Sequence, residues 1–406
     1  MDKEEGATLN RRRFLQGTGL LPAVAVLAPR TAAGATLQAS ASGGTVSLRE
    51  KFYGCIAGVH VGSALKGPCE GWDWQDIAKK YGVIDQLLPY QDYDNGWNRM
   101  AGTTEDGVER QKLMITAIME KKDRVTAEDV RKIWVRDINP KAAGMISELF
   151  EGVLLKMAKA DIPACDIGRY CDYAGLVSFA RACHPMGLIN AGDIPNAVAD
   201  VFEVGQLYQT TNSRGLQWAA VTGIGVAAAT KPGATVDSVI AAILAGDPRF
   251  SRDLIEPSER DLAEEIEQGL KITAHCKDFE EMRAAFDPIY SGKGMAYPGS
   301  YANEVVTKGI CVFSMVKGNT KDAMVAGVNM GQDTDCLAAV AAGISGALSG
   351  ASSVPEAWIK QVDYATSQMP ITNSRRTIRQ HADGLYEAFQ TRLRRMRSFA
   401  DEMEQA

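Results

Sequence analysis

Apolar residues recur three or four positions apart along most of the chain, which is the spacing of one face of an α-helix. The alternation of apolar and polar residues that marks a half-buried strand is scarce. The pattern therefore predicts an all-α protein. We expect helices over residues 127–138, 141–160, 170–182, 194–208, 215–229, 236–244, 258–275, 301–317 and 322–330, and a helical tail over 373–397.

Two further segments are predicted to pack closely in the core. Residues 331–350 place two aspartates before a run that is small or apolar on every side, and a helix of this kind is buried. The run is shorter than the roughly 20 apolar residues that cross a bilayer, so we expect no stable membrane insertion. Gly54, Gly58 and Gly62 give a second segment one flat side for packing against another helix.

The start of the chain has the order of features found in an export signal. Residues 11–13 are arginines followed by Phe14 and Leu15, an apolar run covers residues 18–28, and an Ala-x-Ala pair ends at Ala35. Paired arginines are typical of the twin-arginine route. We predict an export signal at residues 1–35, a linker at 36–46, one domain at 47–406, and a periplasmic or extracellular protein. The alternative is a disordered amphipathic tail in which the arginines occur by chance.

Composition excludes several classes of protein. The chain has 406 residues, of which 46% are hydrophobic, enough to bury a large core. Its net charge is −6, and no basic stretch outside the two ends is concentrated enough to bind phosphates, so we expect no nucleic-acid partner. The 8 cysteines include no Cys-x-x-Cys pair, which argues against a zinc ribbon.

Acidic residues stand at the start of two predicted helices. Asp333 and Asp335 precede the buried run, and Glu105 and Asp106 follow Thr104 at the start of another helical pattern. One interpretation is capping, because Asp and Thr side chains accept hydrogen bonds from the free N–H groups of a helix start. For Asp333 and Asp335 the other interpretation is a cation site, since carboxylates paired at the end of a buried helix repel each other and hard cations such as Mg²⁺ or Ca²⁺ bind oxygen ligands.

Glu70 is the candidate acid or base. Gly67 and Pro68 force a loop after the glycine-rich segment, and this loop presents Glu70 close to Trp72. A carboxylate on a loop at the end of a buried helix is well placed for proton transfer, whereas a solvated surface carboxylate is the structural alternative. Trp72 either stacks on a planar or sugar ring or packs on its own loop.

The acidic motifs together resemble those of the ADP-ribosylglycohydrolase family. The family's C-terminal signature, Gly-Gly-Asp-Thr-Asp-Thr with a Gly-Ala pair and a Trp downstream, is similar to residues 331–336, 346–347 and 358. Its N-terminal glycine repeat and loop glutamate match residues 54–70, and its Thr-Asp-Asp-Thr segment matches Thr104, Glu105 and Asp106. The motifs occur in the family's order over nearly the whole chain after the predicted signal.

The resemblance implies an orthogonal all-α bundle in a single domain, and hydrolysis of a glycosidic bond at the anomeric carbon of a ribose or similar sugar. It also implies one or two Mg²⁺ ions, with Ca²⁺ or Mn²⁺ as substitutes. The implied site has Glu70 as catalytic residue and Thr104, Glu105, Asp106, Asp333 and Asp335 as metal ligands. We expect Trp72, His184 and Thr334 as substrate contacts. The alternative for His184, which stands beside Pro185 in a segment similar to a family motif, is a structural capping role.

Several positions depart from the family pattern. Ser63 and Lys66 stand in place of Asp and Gly, Gly107 in place of Thr or Ser, and Asn212 in place of His. Cys336 replaces a hydroxyl with a soft thiol, and Mg²⁺ prefers oxygen, so we expect one of two metal positions to be weakened or lost. The alternatives at Cys336 are a softer metal and a plain buried thiol.

We therefore expect an exported, magnesium-dependent glycoside hydrolase that acts on a ribosyl, ADP-ribosyl or related small-molecule substrate. Export separates the protein from cytosolic ADP-ribosylated proteins, which favours a sugar, nucleoside or ribosylated small molecule. The alternative is a relative with weakened catalysis that binds a sugar or a metal without turnover, as crystallin-like members do. The sequence leaves the oligomeric state open.

Overall fold

The computed structural model describes residues 46–90, 99–104, 106–139, 141, 149–171, 173–211, 213–246, 262–290, 300–368, 372 and 374–405. The predicted export signal, nearly all of the predicted linker, Glu105 and Asn212 lie outside these residues. The division into signal, linker and one domain at 47–406 stays a prediction.

The described residues form seventeen α-helices and no β-strand, which confirms the predicted all-α class. The first nine are α1 (Leu48–Leu65), α2 (Trp74–Tyr81), α3 (Asp106–Lys121), α4 (Ala127–Asp137), α5 (Leu149–Lys159), α6 (Ala164–Ile167), α7 (His184–Ile189), α8 (Ile194–Gly205) and α9 (Arg214–Ala229). The others are α10 (Val236–Ala245), α11 (Leu262–Ala274), α12 (Phe279–Phe286), α13 (Ala302–Met315), α14 (Thr320–Val328), α15 (Thr334–Ser349), α16 (Glu356–Gln368) and α17 (Ile378–Glu404). None of these described helices is both long and apolar enough to span a membrane.

Most periodic segments are helices close to the predicted bounds, but one prediction is wrong. Residues 173–183 form successive turns instead of the helix expected over 170–182. The side-chain amide of Gln209 donates to the carbonyl oxygens of Tyr173 and Leu176 at 2.8 and 3.0 Å. A distant residue thus satisfies backbone groups that a helix would bond internally, and this tertiary contact overrides the local apolar spacing.

Helices α1 and α15 are almost entirely buried and pack against each other through small residues. A Cβ atom at Gly58 would overlap the carbonyl oxygen of Ala342. One at Gly62 would lie 3.2 Å from the carbonyl oxygen of Ala338. Because residue numbers fall along one helix as they rise along the other, the two helices run antiparallel. The end of α1 therefore lies beside the start of α15, which brings the Glu70 loop to the acidic start of α15.

Helix α3 carries polar side chains through the apolar core. Lys112 Nζ donates to Glu109 Oε1 at 2.5 Å, and Thr372 Oγ1 donates to Glu109 Oε2 at 2.8 Å. In the same core, His60 Nε2 lies 3.1 Å from Oε1 of Gln111, the residue before Lys112. These buried groups have partners, as polar groups in a low-dielectric interior require.

Candidate active site at the start of helix α15

Two buried carboxylates at the start of α15 do not cap the helix. Asp333 is the N-cap residue, but its side chain makes no capping hydrogen bond. Asp333 and Asp335 are only 8% and 4% exposed, and Oδ1 of each has no hydrogen-bond partner in the described part of the chain. Buried carboxylate oxygens without donors are unfavourable, so this arrangement favours the cation-site interpretation over capping.

The loop after α1 places Glu70 beside this pair. Gly71 N–H donates to the carbonyl oxygen of Gln332 at 2.8 Å, and Gln332 N–H donates to the carbonyl oxygen of Trp72 at 2.7 Å. These two bonds hold the loop against the turn that precedes α15. The Glu70 side chain is 29% exposed, so it is the acid of this group that solvent and substrate reach most easily.

Lys66 links Glu70 to Asp335. Its Nζ lies 2.6 Å from Glu70 Oε2 and 3.4 Å from Asp335 Oδ2, and its side chain is 2% exposed. A buried ammonium group requires such counter-charges. The sequence identified Lys66 only as a departure from the family pattern. The signal that could have found the ion pair is the spacing of four residues between Lys66 and Glu70.

Arg181 links the start of α3 to the start of α15. One guanidinium nitrogen donates to Asp106 Oδ2. Another lies 3.6 Å from Asp335 Oδ2 and donates to Cys336 Sγ at 3.2 Å. Sequence reasoning missed Arg181 as a site residue, because its partner Asp106 lies 75 positions away and leaves no local signal.

Burial shifts the acidity of these groups in different directions. Burial alone would raise the pKa of Asp106, but Arg181 and other nearby cations outweigh it and lower that pKa below its usual value. Burial raises the pKa of Asp335 to about 6. It also raises the pKa of the Cys336 thiol well above its usual value, in spite of the Arg181 charge. At neutral pH the carboxylates of Asp106 and Asp335 are therefore ionised beside a protonated Cys336 thiol.

Asp333, Asp335 and Cys336 are the group of described residues that could hold a metal ion, since one ligand atom from each lies within 4.8 Å of the other two. The carboxylate oxygens fit a hard divalent ion such as Mg²⁺, whereas a protonated thiol contacted by Arg181 does not. Asp106 was predicted as a ligand, but Arg181 engages its Oδ2. These ligand atoms thus fit one hard cation better than two cations with equivalent ligands.

The two predicted threonines, Thr104 and Thr334, are both buried. Thr104 Oγ1 donates to Glu109 Oε1 at 3.5 Å, and Thr334 Oγ1 lies 3.9 Å from Cys69 Sγ. Their assigned roles, Thr104 as a metal ligand and Thr334 as a substrate contact, stay predictions. Glu105, the remaining predicted ligand, lies outside the described residues.

The other predicted substrate contacts have structural partners. The Trp72 ring packs on Tyr81 with 6.1 Å between centroids, and Lys80 Nζ lies 4.8 Å from the Trp72 ring. His184 is completely buried, its Nδ1 lies 3.4 Å from Gln111 Nε2, and burial lowers its pKa to about 4. This geometry supports loop packing for Trp72 and a core role for His184, and their substrate roles stay predictions.

Comparison with known proteins gives an independent line of evidence. The sequence pattern of the ADP-ribosylglycohydrolase family matches residues 44–395. The chain belongs to this family. An uncharacterized protein of Archaeoglobus fulgidus is 24% identical over 328 residues, which are 77% of this chain and 92% of that protein. The solved structure of an ADP-ribosylglycohydrolase-related protein complex covers 84% of this chain with 99% of its own, at 14% identity and a TM-score of 0.54, which supports the fold.

Membership in the ADP-ribosylglycohydrolase family confirms the resemblance found in the sequence and supports a glycohydrolase-type function with a small-molecule substrate. The family is metal-dependent in general, and the described residues contain a possible acidic metal-binding cluster. In the described residues, Lys66 links Glu70 to Asp335 and Arg181 links Asp106 to the same carboxylate, so acids from three distant parts of the sequence share these two cations.

Proposed function

We propose that this protein is a magnesium-dependent glycoside hydrolase that cleaves a glycosidic bond of a ribosyl, ADP-ribosyl or related sugar. One observation carries the proposal: Lys66 links Glu70, and Arg181 links Asp106, to Asp335 of the Asp333–Asp335 pair, so acids from three separate parts of the sequence are brought together. A partly exposed acid can transfer protons and carboxylates that hold a cation can orient a sugar, so this combination supports cleavage at an anomeric carbon.

Asp333 and Asp335 would hold the magnesium ion through their Oδ1 oxygens, which lack hydrogen-bond partners among the described residues. When bound, the ion supplies positive charge that orients sugar hydroxyl groups and water. Lys66 and Arg181 contact Oδ2 of Asp335, so the carboxylate keeps one orientation and presents the other oxygen. The chain itself thus fixes the ligand before any ion binds.

Glu70 is the proposed acid/base residue. As a carboxylate beside the Lys66 ammonium group, it accepts a proton from the attacking water while the bond from the anomeric carbon to the leaving group breaks. Glu70 then returns that proton to the leaving group. Asp106, kept ionised by Arg181, stabilises the positive charge that develops on the sugar ring.

The proposal is tested on a panel of ribosides and ADP-ribosylated small molecules, with Mg²⁺ present and free sugar measured by chromatography. We expect hydrolysis of at least one panel member, and a fall in kcat of about 100-fold or more in Glu70→Gln with magnesium binding unchanged. Glu356→Gln is the control, because Glu356 is an exposed residue that pairs with Lys360 on α16.

Two results would count against the proposal. Equal rates in Glu70→Gln and the parent protein would place the chemistry elsewhere. Binding of a sugar by the parent without any release of product would favour the alternative, a relative that binds a sugar or a metal without turnover.

We also propose export by the twin-arginine route, supported by the sequence features of residues 1–35. Replacing Arg11 and Arg12 with lysine is expected to keep the protein in the cytoplasm, as measured by cell fractionation. A parent protein found in the cytoplasm to the same extent as this variant would contradict export by this route.

A further inference from the structure

The acidic cluster already contains two cations of its own. Lys66 Nζ lies 2.6 Å from Glu70 Oε2 and 3.4 Å from Asp335 Oδ2. Arg181 contacts Asp106 and the same oxygen of Asp335. The side chains of Lys66 and Arg181 are only 2% and 12% exposed. Two positive charges are therefore fixed among the carboxylates with little access to water.

These cations leave one side of the cluster uncompensated. Oδ2 of Asp335 faces both Lys66 and Arg181, whereas its Oδ1 has no hydrogen-bond partner among the described residues. Asp333 makes no ion pair within the same set of residues, and its Oδ1 likewise has no partner. A buried carboxylate without a counter-charge is unfavourable, so an external cation is favoured on the Oδ1 side.

We propose that Lys66 is a built-in cation that limits this site to one divalent ion. The ammonium group bridges Glu70 and Asp335 as a metal ion would, and its charge opposes the approach of a second ion to the Oδ2 side. Lys66 also fixes Glu70, which makes it a positioning residue for the acid/base group. The inference rests on the cation site of the proposed function but concerns the number of ions that the site takes.

The test counts divalent ions bound by the full chain and by Lys66→Met, a variant that keeps the length of the side chain and removes its charge. Mn²⁺ is the probe, measured by isothermal titration calorimetry and by the electron paramagnetic resonance of the bound ion. We expect one ion per chain in the parent. In Lys66→Met, which removes the repulsion between the ammonium group and a divalent ion, we expect either a second ion or binding that is tighter by about tenfold or more.

Two further variants test whether the effect comes from the positive charge at position 66. Lys66→Arg keeps the positive charge and should restore the parental ion count and affinity. Lys80→Met removes an exposed lysine that lies over the Trp72 ring, and it should bind as the parent does. If Lys66 mattered only for packing, Lys66→Arg would not restore the ion binding of the parent.

The possible outcomes distinguish this inference from the proposed function. Two ions in the parent would overturn the inference, and so would one ion bound by Lys66→Met with an affinity equal to or weaker than that of the parent. Binding to Lys66→Met but not to the parent would support Lys66 as the built-in cation and remove magnesium from the proposed function. No binding to either protein would overturn both. If circular dichroism shows Lys66→Met unfolded, Lys66→Gln, which keeps hydrogen-bond donors, takes its place.

Discussion

Arg181 passes against the first turn of α3 at Gly107, where a Cβ atom would lie 2.9 Å from Arg181 Cδ. The lack of a side chain at position 107 lets the guanidinium group reach Asp106 and the start of α15 together. Gly107 departs from the Thr or Ser of the family pattern. This departure and the Arg181 bridge are therefore two parts of one arrangement.

Gly107→Ala is expected to displace Arg181. The added methyl group needs space that Arg181 occupies, and overpacking of a buried site costs about 1–3 kcal/mol of unfolding free energy. Chemical unfolding measures the loss. The same change in an Arg181→Met background should cost less, because methionine adapts its shape, and the comparison cancels the effect of alanine on the helix itself. Equal costs in both backgrounds would show that the two residues are not coupled.

The contact between α1 and α15 should tolerate no added atom at Gly58. A Cβ there would overlap the backbone carbonyl of Ala342, whereas one at Gly62 would lie 3.2 Å from the carbonyl oxygen of Ala338. We expect Gly58→Ala to lower the unfolding free energy by about 3 kcal/mol or more, and Gly62→Ala by clearly less. Thermal unfolding compares the two variants. Similar losses would be inconsistent with this packing of the helices.

That helix contact was predictable from the sequence, because glycine at every fourth position and a run without a polar face both leave periodic signals. Apart from the Lys66–Glu70 pair, whose spacing of four residues is a local signal, the ion pairs of the site were not predictable. Lys66 and Asp335 lie far apart in the chain, as do Arg181 and Asp106, and a pair of distant charges leaves no periodic trace in a single sequence. The family pattern identified the acids of the site, and only the fold shows which cations they contact.

The burial of His184 was not predictable from the sequence, although the sequence did draw attention to this residue. A histidine beside proline in a segment similar to a family motif suggests a residue near the pocket. The structure instead buries it at the start of α7, where a Cβ atom at Gly343 would overlap its ring and Gln111 lies within hydrogen-bonding distance. A motif in the sequence can mark such a histidine as a candidate. Whether it is buried depends on how α7 packs against α15, which the sequence alone does not show.

Gln332 is expected to be strained, because its φ of +62° lies in the left-handed region. Gln332→Ala and Gln332→Gly both remove the side-chain amide that donates to Asp73, but only glycine adopts this conformation without a Cβ penalty. Gln332→Ala should therefore be less stable than Gln332→Gly by about 1 kcal/mol in chemical unfolding. Equal stability of the two variants would show that the turn before α15 carries no strain.

The stability of the protein is expected to fall in mild acid because of its buried histidines. Burial lowers the pKa of His184 to about 4, and His60 and His381 are shifted in the same direction, also mainly by burial. Below pH of about 6.5 the unfolded state binds more protons than the folded state. The stabilisation is therefore complete above that pH and is lost as the pH falls towards 4, by up to about 3 kcal/mol for His184.

Chemical unfolding of the parent and His184→Gln at a series of pH values tests this expectation. Asp335, with its pKa raised to about 6 by burial, titrates in the same range with the opposite sign, so the difference between the two proteins is the informative quantity. The variant should lose less stability between pH 7 and 4.5 than the parent. His275→Gln, at an exposed position, should follow the parent. Parallel curves for the parent and His184→Gln would contradict the prediction.

Asp333 is expected to destabilise the metal-free protein and to stabilise the magnesium-loaded one. Asp333 lies in the same cluster as Asp335, its Oδ1 has no hydrogen-bond partner among the described residues, and its carboxylate makes no ion pair with them. Asp333→Asn relieves the repulsion of the two carboxylates, so the metal-free variant should melt at a higher temperature than the metal-free parent.

Magnesium at about 100 times its Kd should add about 2.7 kcal/mol to the unfolding free energy of the parent, and much less to that of Asp333→Asn. Asp401→Asn, at an exposed position near the end of α17, should behave as the parent in both conditions. An equal gain on magnesium addition in the parent and Asp333→Asn would remove Asp333 from the ligand set.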